Sequence, residues 1–431
     1  MTNKSSLIIL NKNKLSSKPD NLKLFIDMNS FFATCEQQVN YWLRGRPIAV
    51  CVYTGKNGFI ISPSIEAKAK GIKLGLRLSE AIKICPDLVP LESNPNRYRD
   101  YHIKIMDILR KYSDDVIPKS IDEAIVDLTG YQLVYKDPVQ LARNIKQDIQ
   151  NNVGDWLKSS IGIAPNAFLA KLGSNLTKPN GLVVINKENI NEILKPLQLR
   201  DLPGINVGMA KRLEQAGILT PLQLKETDPI ALKKACNSII GIYWHHRLNF
   251  GGEMDLVNHR YKSMQAKRMI SKEQKKSVAI LQDLFMTLCI RLERRMVKEG
   301  VFCNKIGFHS TYENGKEWKD YFKTGKPLQD GVELMHLIQM HMQHYEKQAN
   351  SGAIINRNMV SMGVYVGDFV SDELRQIQLF ENNIKKDNLR KLVYSIKDKF
   401  GPNKILRAME LKNEEMWKDV IGFGSIKDLH Q

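Results

Sequence analysis

The sequence contains no apolar run near the length of about 18 residues that a membrane-spanning helix needs. Its Leu7-Ile8-Ile9-Leu10 stretch is too short for the apolar region of a signal peptide, and Asn11 and Lys12 follow it directly. Cysteine is scarce: Cys35, Cys51, Cys85, Cys236, Cys289 and Cys303 are the six, and none stands at CxxC spacing. That argues against a zinc knuckle or a dithiol redox motif and suits free thiols in a reducing cytosol. His336, His341 and His344 share one helical stretch, but no acidic or cysteine ligand completes a metal set with them. Acidic side chains are in deficit, with 46 Asp and Glu against 64 Lys and Arg, a formal charge of +18. Such a surplus points to a polyanionic partner, either nucleic acid or an acidic membrane surface. What is present suffices for packed cores: 43% of residues are hydrophobic, which excludes global disorder. A length of 431 residues suggests about three domains. No long internal repeat is visible.

Residues 1–20 are polar and basic and read as a loose tail. A strand over 22–26 ends at Asp27, and Asn29 can cap a helix over 30–39. A second strand follows at 47–53, with short helices at 64–70 and 79–85 and a helical stripe over 98–112. Residues 120–128, SIDEAIVDL, alternate like a strand. A helix over 138–153, a strand over 160–164 and a helix over 167–176 come next, the last broken at Lys178-Pro179-Asn180-Gly181. Strands alternating with helices predict one mixed α/β sheet. Residues 197–250 look helical, punctuated by Gly and Pro. From 259 to 369 the order is strand, helix, strand, strand, helix, strand, a ferredoxin-like pattern. Residues 260–299 hold eleven Lys or Arg against four Asp or Glu, so a basic surface is expected on this unit. A basic helical extension follows Phe380.

Asp27 closes one apolar strand, and Asp122 and Glu123 lie near the start of another. Three carboxylates at adjacent strand ends can share a patch, and hard divalent cations take oxygen ligands. Two such ions about 4 Å apart can clamp both oxygens of an in-line phosphoryl transfer. Neighbours on a regular strand face opposite ways, so Asp122 and Glu123 converge only if the backbone there is irregular or Glu bends round the edge. Ordinary surface carboxylates are the alternative. The amides of residues 29–32 open a helix just beyond Asp27, a ready phosphate site. Phe31 and Phe32 then lie beside a sugar or serve as core aromatics, the latter preferred for Phe31. Lys68 and Lys178 are single cations that composition alone leaves as solvated side chains.

The stretch LPGINVGMAKRL (202–213) sets Gly204 and Gly208 around an apolar residue inside a helix–turn–helix pattern, with Lys211 and Arg212 following. Glycine lets a phosphate approach main-chain amides closely. This suits a sequence-independent grip on a nucleic-acid backbone; a plain tight turn is the alternative.

LFIDMNSFFATCEQ (24–37), LRGRPIAV (43–50), IEAKAKGIKLG (65–75), SIDEAIVDLTG (120–130), GIAPNAFLAKLGSNLTKPNG (162–181) and LPGINVG (202–208) together resemble Y-family translesion DNA polymerases. GVYVGDFVSDELRQIQLFENN (363–383) looks like the bacterial UmuC-type (ImpB/MucB/SamB) branch. The likeness runs in order over roughly residues 22–383. It implies an α+β right hand: a ferredoxin-like palm (21–50 and 90–185), small fingers (51–89), a helix-hairpin-helix thumb (186–252), a linker (253–262) and a β-α-β-β-α-β little finger (263–370), with a clamp-binding motif and extension over 371–431. Asp27, Asp122 and Glu123 match the family's metal ligands, with Met28 as a carbonyl ligand, for two Mg²⁺ ions or Mn²⁺ in their place. Phe32 matches the steric gate that excludes a ribose 2′-OH, next to Phe31. Lys178 matches the triphosphate lysine, and Lys68 a position that is often Arg. Ile65 stands where many members carry a phosphate-binding Tyr, and Ser30 where many carry an aromatic.

Gln376-Ile377-Gln378-Leu379-Phe380 resembles a Gln-x-x-Leu-Phe peptide that docks on the sliding clamp (beta), through Gln376, Leu379 and Phe380. Gly204, Gly208, Lys211, Arg212, Lys267 and Arg268 are the expected DNA contacts. The resemblance implies a monomeric, cytoplasmic, template-directed and error-prone polymerase for SOS-type translesion synthesis. Its partners would be primer-template DNA, a dNTP, the clamp, and a recombinase filament or regulatory subunit, with no membrane and no proofreading domain. Two rivals are a catalytically inactive accessory protein that binds clamp and DNA, and a nucleotidyl cyclase. The intact carboxylates argue against the first, and the hairpin and basic second domain against the second.

Overall fold

The computed structural model describes residues 21–55, 58–252, 261–348, 352–374, 383–401 and 404–405. The tail at 1–20, most of the linker, and Gln376, Leu379 and Phe380 lie outside the described residues. The chain divides into two compact units at residues 257/258.

In chain order the first unit contains β1 (Lys23–Met28), α1 (Phe31–Val39), β2 (Ile48–Cys51), β3 (Ile60–Pro63), α2 (Ile65–Ala69), α3 (Leu78–Ile84), β4 (Val89–Glu92) and α4 (Pro95–Leu109). It continues with β5 (Val116–Pro118), β6 (Glu123–Asp127), α5 (Pro138–Asn152), β7 (Ser159–Ala164), α6 (Ala167–Leu176) and β8 (Leu182–Val184). Helices α7 (Ile190–Leu194), α8 (Val207–Gln215), α9 (Pro221–Glu226), α10 (Pro229–Cys236) and α11 (Ile240–Leu248) complete it.

Five strands form one sheet in the order β5-β6-β1-β7-β8. The antiparallel part, β7-β1-β6-β5, has the strand order of a ferredoxin-like palm, and β8 adds a parallel edge to β7. β1 is buried along its whole length because it lies mid-sheet between two helical layers. Leu24 and Ile26 enter one core with α1, α4 and α5, while Phe25 enters another with α6 and the helices after it. The single mixed sheet expected from the sequence is in fact two. β2 pairs in parallel with β4 and antiparallel with β3, so residues 48–51 and 89–92 build a separate three-stranded sheet with the fingers segment. That small sheet has its own core around Ile60, Ile72 and Leu78.

The second unit contains β9 (Ser263–Met269), α12 (Val278–Lys298), β10 (Val301–Tyr312), β11 (Glu317–Leu328), α13 (Gly331–Gln348), β12 (Met359–Ser371) and α14 (Asn383–Phe400). The predicted element order holds. The strand order, β11-β10-β12-β9, differs from the palm's because the last strand, not the third, lies between the first and second. Met264, Ala266, Ile306, Phe308, Met362, Val364 and Val366 share the buried face with α12 and α13. α14 is anchored by Arg390, which pairs with Asp330 at 2.8 Å and Asp387 at 2.9 Å beside the fully buried Glu293.

Candidate active site

Asp27 lies directly opposite Glu123 across the β1–β6 ladder. Opposite residues share a face, with Cβ atoms about 5 Å apart. β6 begins only at Glu123; residues 120–122 form a bend, which supplies the irregular backbone that lets Asp122 join its neighbour. The bend is pinned by the Met28 N–H, which donates to the Asp122 carbonyl at 2.9 Å, and by the Ser120 hydroxyl, which donates to the Asp122 carboxylate. The three acids therefore act on one another. Burial, then the Glu123 and Asp122 charges, outweigh Lys178 and push the Asp27 pKa up to about 6. Asp122 is raised too, by burial and then Glu123, against the Ser120 hydrogen bond.

Lysines answer these acids. Lys178 donates to Asp27 Oδ2 at 2.7 Å, and Lys171 donates to both Glu123 oxygens at 3.0 and 2.9 Å. Lys171 reaches them from α6, across the Phe25 ring at 5.0 Å. The Lys68 ammonium at the end of α2 is lowered in pKa by burial and by Lys178, and Asp27 and Asp122 pull it the other way, so it belongs to the same field. Among the described residues no three His, Cys, Asp or Glu side chains are gathered to hold a metal ion, and Asp27 and Glu123 are each paired with a lysine. The donor set still suits a hard divalent cation. It offers oxygens only, from three neighbouring carboxyls, two of them raised in pKa by burial first and by one another second.

The Lys178 turn is fastened by a residue expected elsewhere. Asn29 does not cap α1; Ser30 takes the cap position in left-handed backbone (φ 49°) with no side-chain cap bond. The Asn29 carboxamide instead accepts from the Asn180 N–H at 2.7 Å and donates to Ser160 Oγ at 3.1 Å. The Asn29 oxygen is thereby aimed at the 178–181 turn instead of at the first amides of α1. The Ser30 hydroxyl is buried without a partner next to the opening of α1. Phe31 is 2% exposed and part of the core. Phe32 is 7% exposed and stacks on Tyr98, ring centroids 4.3 Å apart and planes 15° from parallel. Tyr98 is itself held by Glu36, accepting at 2.8 Å.

At the hairpin, Gly204 has φ +87°, which a side-chain-bearing residue adopts only with strain. Gly208 lies in the first turn of α8, after Asn206 has capped the Met209 N–H at 2.9 Å. Gly204, Gly208, Lys211 and Arg212 are all exposed, though the Arg212 guanidinium donates to the Cys236 carbonyl at 3.1 Å. In the second unit Lys267 is in register with Gly363, His309 and Lys319 on the helix-free face of the sheet. Lys305, Lys323, Tyr321 and Tyr365 lie on that face too, the two tyrosine rings 5.1 Å apart. Adjacent residues on a strand face opposite ways. Arg268, half-buried, consequently lies on the other face with Met264 and Ala266, away from Lys267.

Lys171 was missed in the sequence, although it lies seven residues before Lys178 within one motif. Its role depends on α6 crossing the sheet, which spacing does not reveal.

The impB/mucB/samB family profile matches residues 26–175. DNA polymerase IV of Bacillus velezensis is 28% identical over 399 residues, spanning 90% of this chain and 93% of that protein. DNA polymerase IV of Vibrio vulnificus is 30% identical over 298 residues, spanning 67% of this chain and 83% of that protein. Among solved structures, a Y-family DNA polymerase chimera, Dbh-Dpo4(243-245)-Dbh, superposes with TM-score 0.67 at 23% identity, over 81% of this chain and 99% of that one. An insertion ternary complex of Dbh DNA polymerase has TM-score 0.55, also at 23% identity, with the same coverage of 81% and 99%.

Proposed function

The chain belongs to the impB/mucB/samB family of Y-family DNA polymerases, and on that premise we propose a template-directed, error-prone DNA polymerase that copies past damaged bases. The observation that carries the site assignment is the pairing of Asp27 with Glu123 across β1–β6, with Asp122 in the bend beside them. Asp27, Asp122 and Glu123, with the Met28 carbonyl, would hold two Mg²⁺ ions. Bound there, such ions supply Lewis-acid stabilisation of the charge that develops in nucleotidyl transfer.

The chain's own groups do the positioning. Lys178 leaves Asp27 and meets the triphosphate together with Lys68 and the amides at the start of α1. Lys171 leaves Glu123 and keeps its charge near the site. Phe32 cannot retreat from a 2′-OH because Tyr98 lies flat behind it. The primer 3′-OH attacks the α-phosphate and pyrophosphate leaves, so holding the reactants in line is the main protein contribution. The hairpin at Gly204 and Gly208 and the lysine-tyrosine face around Lys267 suit a duplex backbone. Gln376, Leu379 and Phe380 support docking on a sliding clamp.

Asp122→Ala and Glu123→Ala are each expected to abolish primer extension while DNA binding persists. Extension at near wild-type rate by either variant would refute the site. A wild-type chain that binds DNA and clamp but extends nothing would instead be the accessory protein.

A further inference from the structure

Behind the Lys178 turn stands a lysine that the chemistry above does not use. Lys146, half-buried on α5, donates from its ammonium to two consecutive carbonyls, Asn180 O at 2.7 Å and Gly181 O at 3.2 Å. Its contacts there are main-chain carbonyls, and burial lowers its pKa to about 8. Two neighbouring carbonyl dipoles aimed at one point repel each other, and a cation between them reverses that repulsion.

The turn has little freedom left. The Asn180 N–H donates to Asn29 at 2.7 Å, the Gly181 N–H to Ser160 Oγ at 3.1 Å, and the Gly181 carbonyl accepts from the Ile161 N–H at 3.0 Å. A Cβ on Gly181 would stand 1.8 Å from the Thr177 carbonyl, so the chain is already at contact there. Asn180 is thus gripped at both ends of its backbone, by Asn29 on the site side and by Lys146 from α5. Lys178 is two residues upstream, with its ammonium on Asp27.

We propose that Lys146 is a positioning residue for nucleotide binding: it clamps the 178–181 turn from behind, so that Lys178 starts from a set backbone position when it turns to the nucleotide's phosphates. This rests on the assignment of Lys178 to the triphosphate. A long lysine side chain finds a ligand faster and binds it tighter when its anchor does not move, which is an entropic gain expressed in nucleotide affinity.

The test uses the full chain on a primer-template. In Lys146→Met the KM for dNTP should rise roughly tenfold, with kcat within about threefold and DNA affinity unchanged. Lys146→Arg, which keeps a multidentate cation, should recover most of the loss. Without nucleotide, amide hydrogen exchange at Asn180 and Gly181 should speed up by about tenfold or more in Lys146→Met. If that variant does not fold, Lys146→Gln takes its place under the same criteria. An unchanged KM overturns the proposal, whatever the exchange rates show, and so does a fall in kcat alone. If the wild-type chain incorporates no nucleotide, the polymerase reading fails, and the exchange rates alone then decide whether Lys146 braces the turn.

Discussion

The Asp27 carboxyl is pulled two ways, by burial beside two other acids and by the Lys178 ammonium, and burial wins. With a folded pKa of about 6 against an ordinary value of 3.8, its ionised form burdens the metal-free fold. That burden is fully present above pH 6 and disappears below about pH 4, where the group is neutral both folded and unfolded. Asp27→Asn should therefore stabilise the metal-free protein at pH 7.5, by about 1–2 kcal/mol, the Lys178 attraction being already contained in the raised value. The gain should fade towards pH 4. Urea unfolding at the two pH values checks this; a variant less stable than wild type at pH 7.5 would contradict the assigned balance. If Asp27 holds Mg²⁺ as proposed, excess Mg²⁺ should reverse the ranking, because a carboxylate binds the ion more tightly than a carboxamide.

At the scale of elements, the selection against ribonucleotides proposed for Phe32 would belong to the packing of α1 on α4 rather than to one ring. Phe32 on α1 lies flat on Tyr98 of α4, and the Tyr98 hydroxyl is tied to Glu36 one turn further along α1. Phe32→Ala should open that floor and let ribonucleotides in, with selectivity for the deoxy sugar falling on the order of a hundredfold or more. Single-nucleotide incorporation with matched dNTP and rNTP measures it, and unchanged selectivity would remove Phe32 from the gate. Helix existence was largely legible from periodicity and caps. α6 follows Asn166, whose side chain accepts from the Leu169 N–H at 2.9 Å, and it spans the predicted 167–176. Asn29 was misjudged as a cap for the same local reasons, because the Asn180 N–H that claims it lies 151 residues away.

For the molecule as a whole, the +18 charge is the property most exposed to solution conditions. Lysines on the helix-free face of the second unit and at the hairpin of the first would each displace counterions from DNA phosphates. Affinity for a primer-template should fall at least tenfold between about 50 and 200 mM salt, and Lys267→Glu should weaken binding and flatten the slope. Fluorescence anisotropy over a salt series reads both, and a flat response would rule out a phosphate grip. Among the described residues no helix is long and apolar enough to cross a membrane. Of the two polyanionic partners that the charge allowed, family membership favours DNA.

Residue order alone determined the motifs, the alternation of strands and helices, and the placing of Asp27 and of Asp122 and Glu123 at strand ends. These are local signals, carried by side-chain period, capping chemistry and turn residues. Only the tertiary structure decided which cations face those acids. Lys171 meets Glu123 because α6 crosses β1, and Lys146 meets the Lys178 turn because α5 lies beneath it. It also decided that Lys267 and Arg268 part company across a sheet. A lysine's charge is visible in any sequence, but its partner is set by which distant segment folds against it.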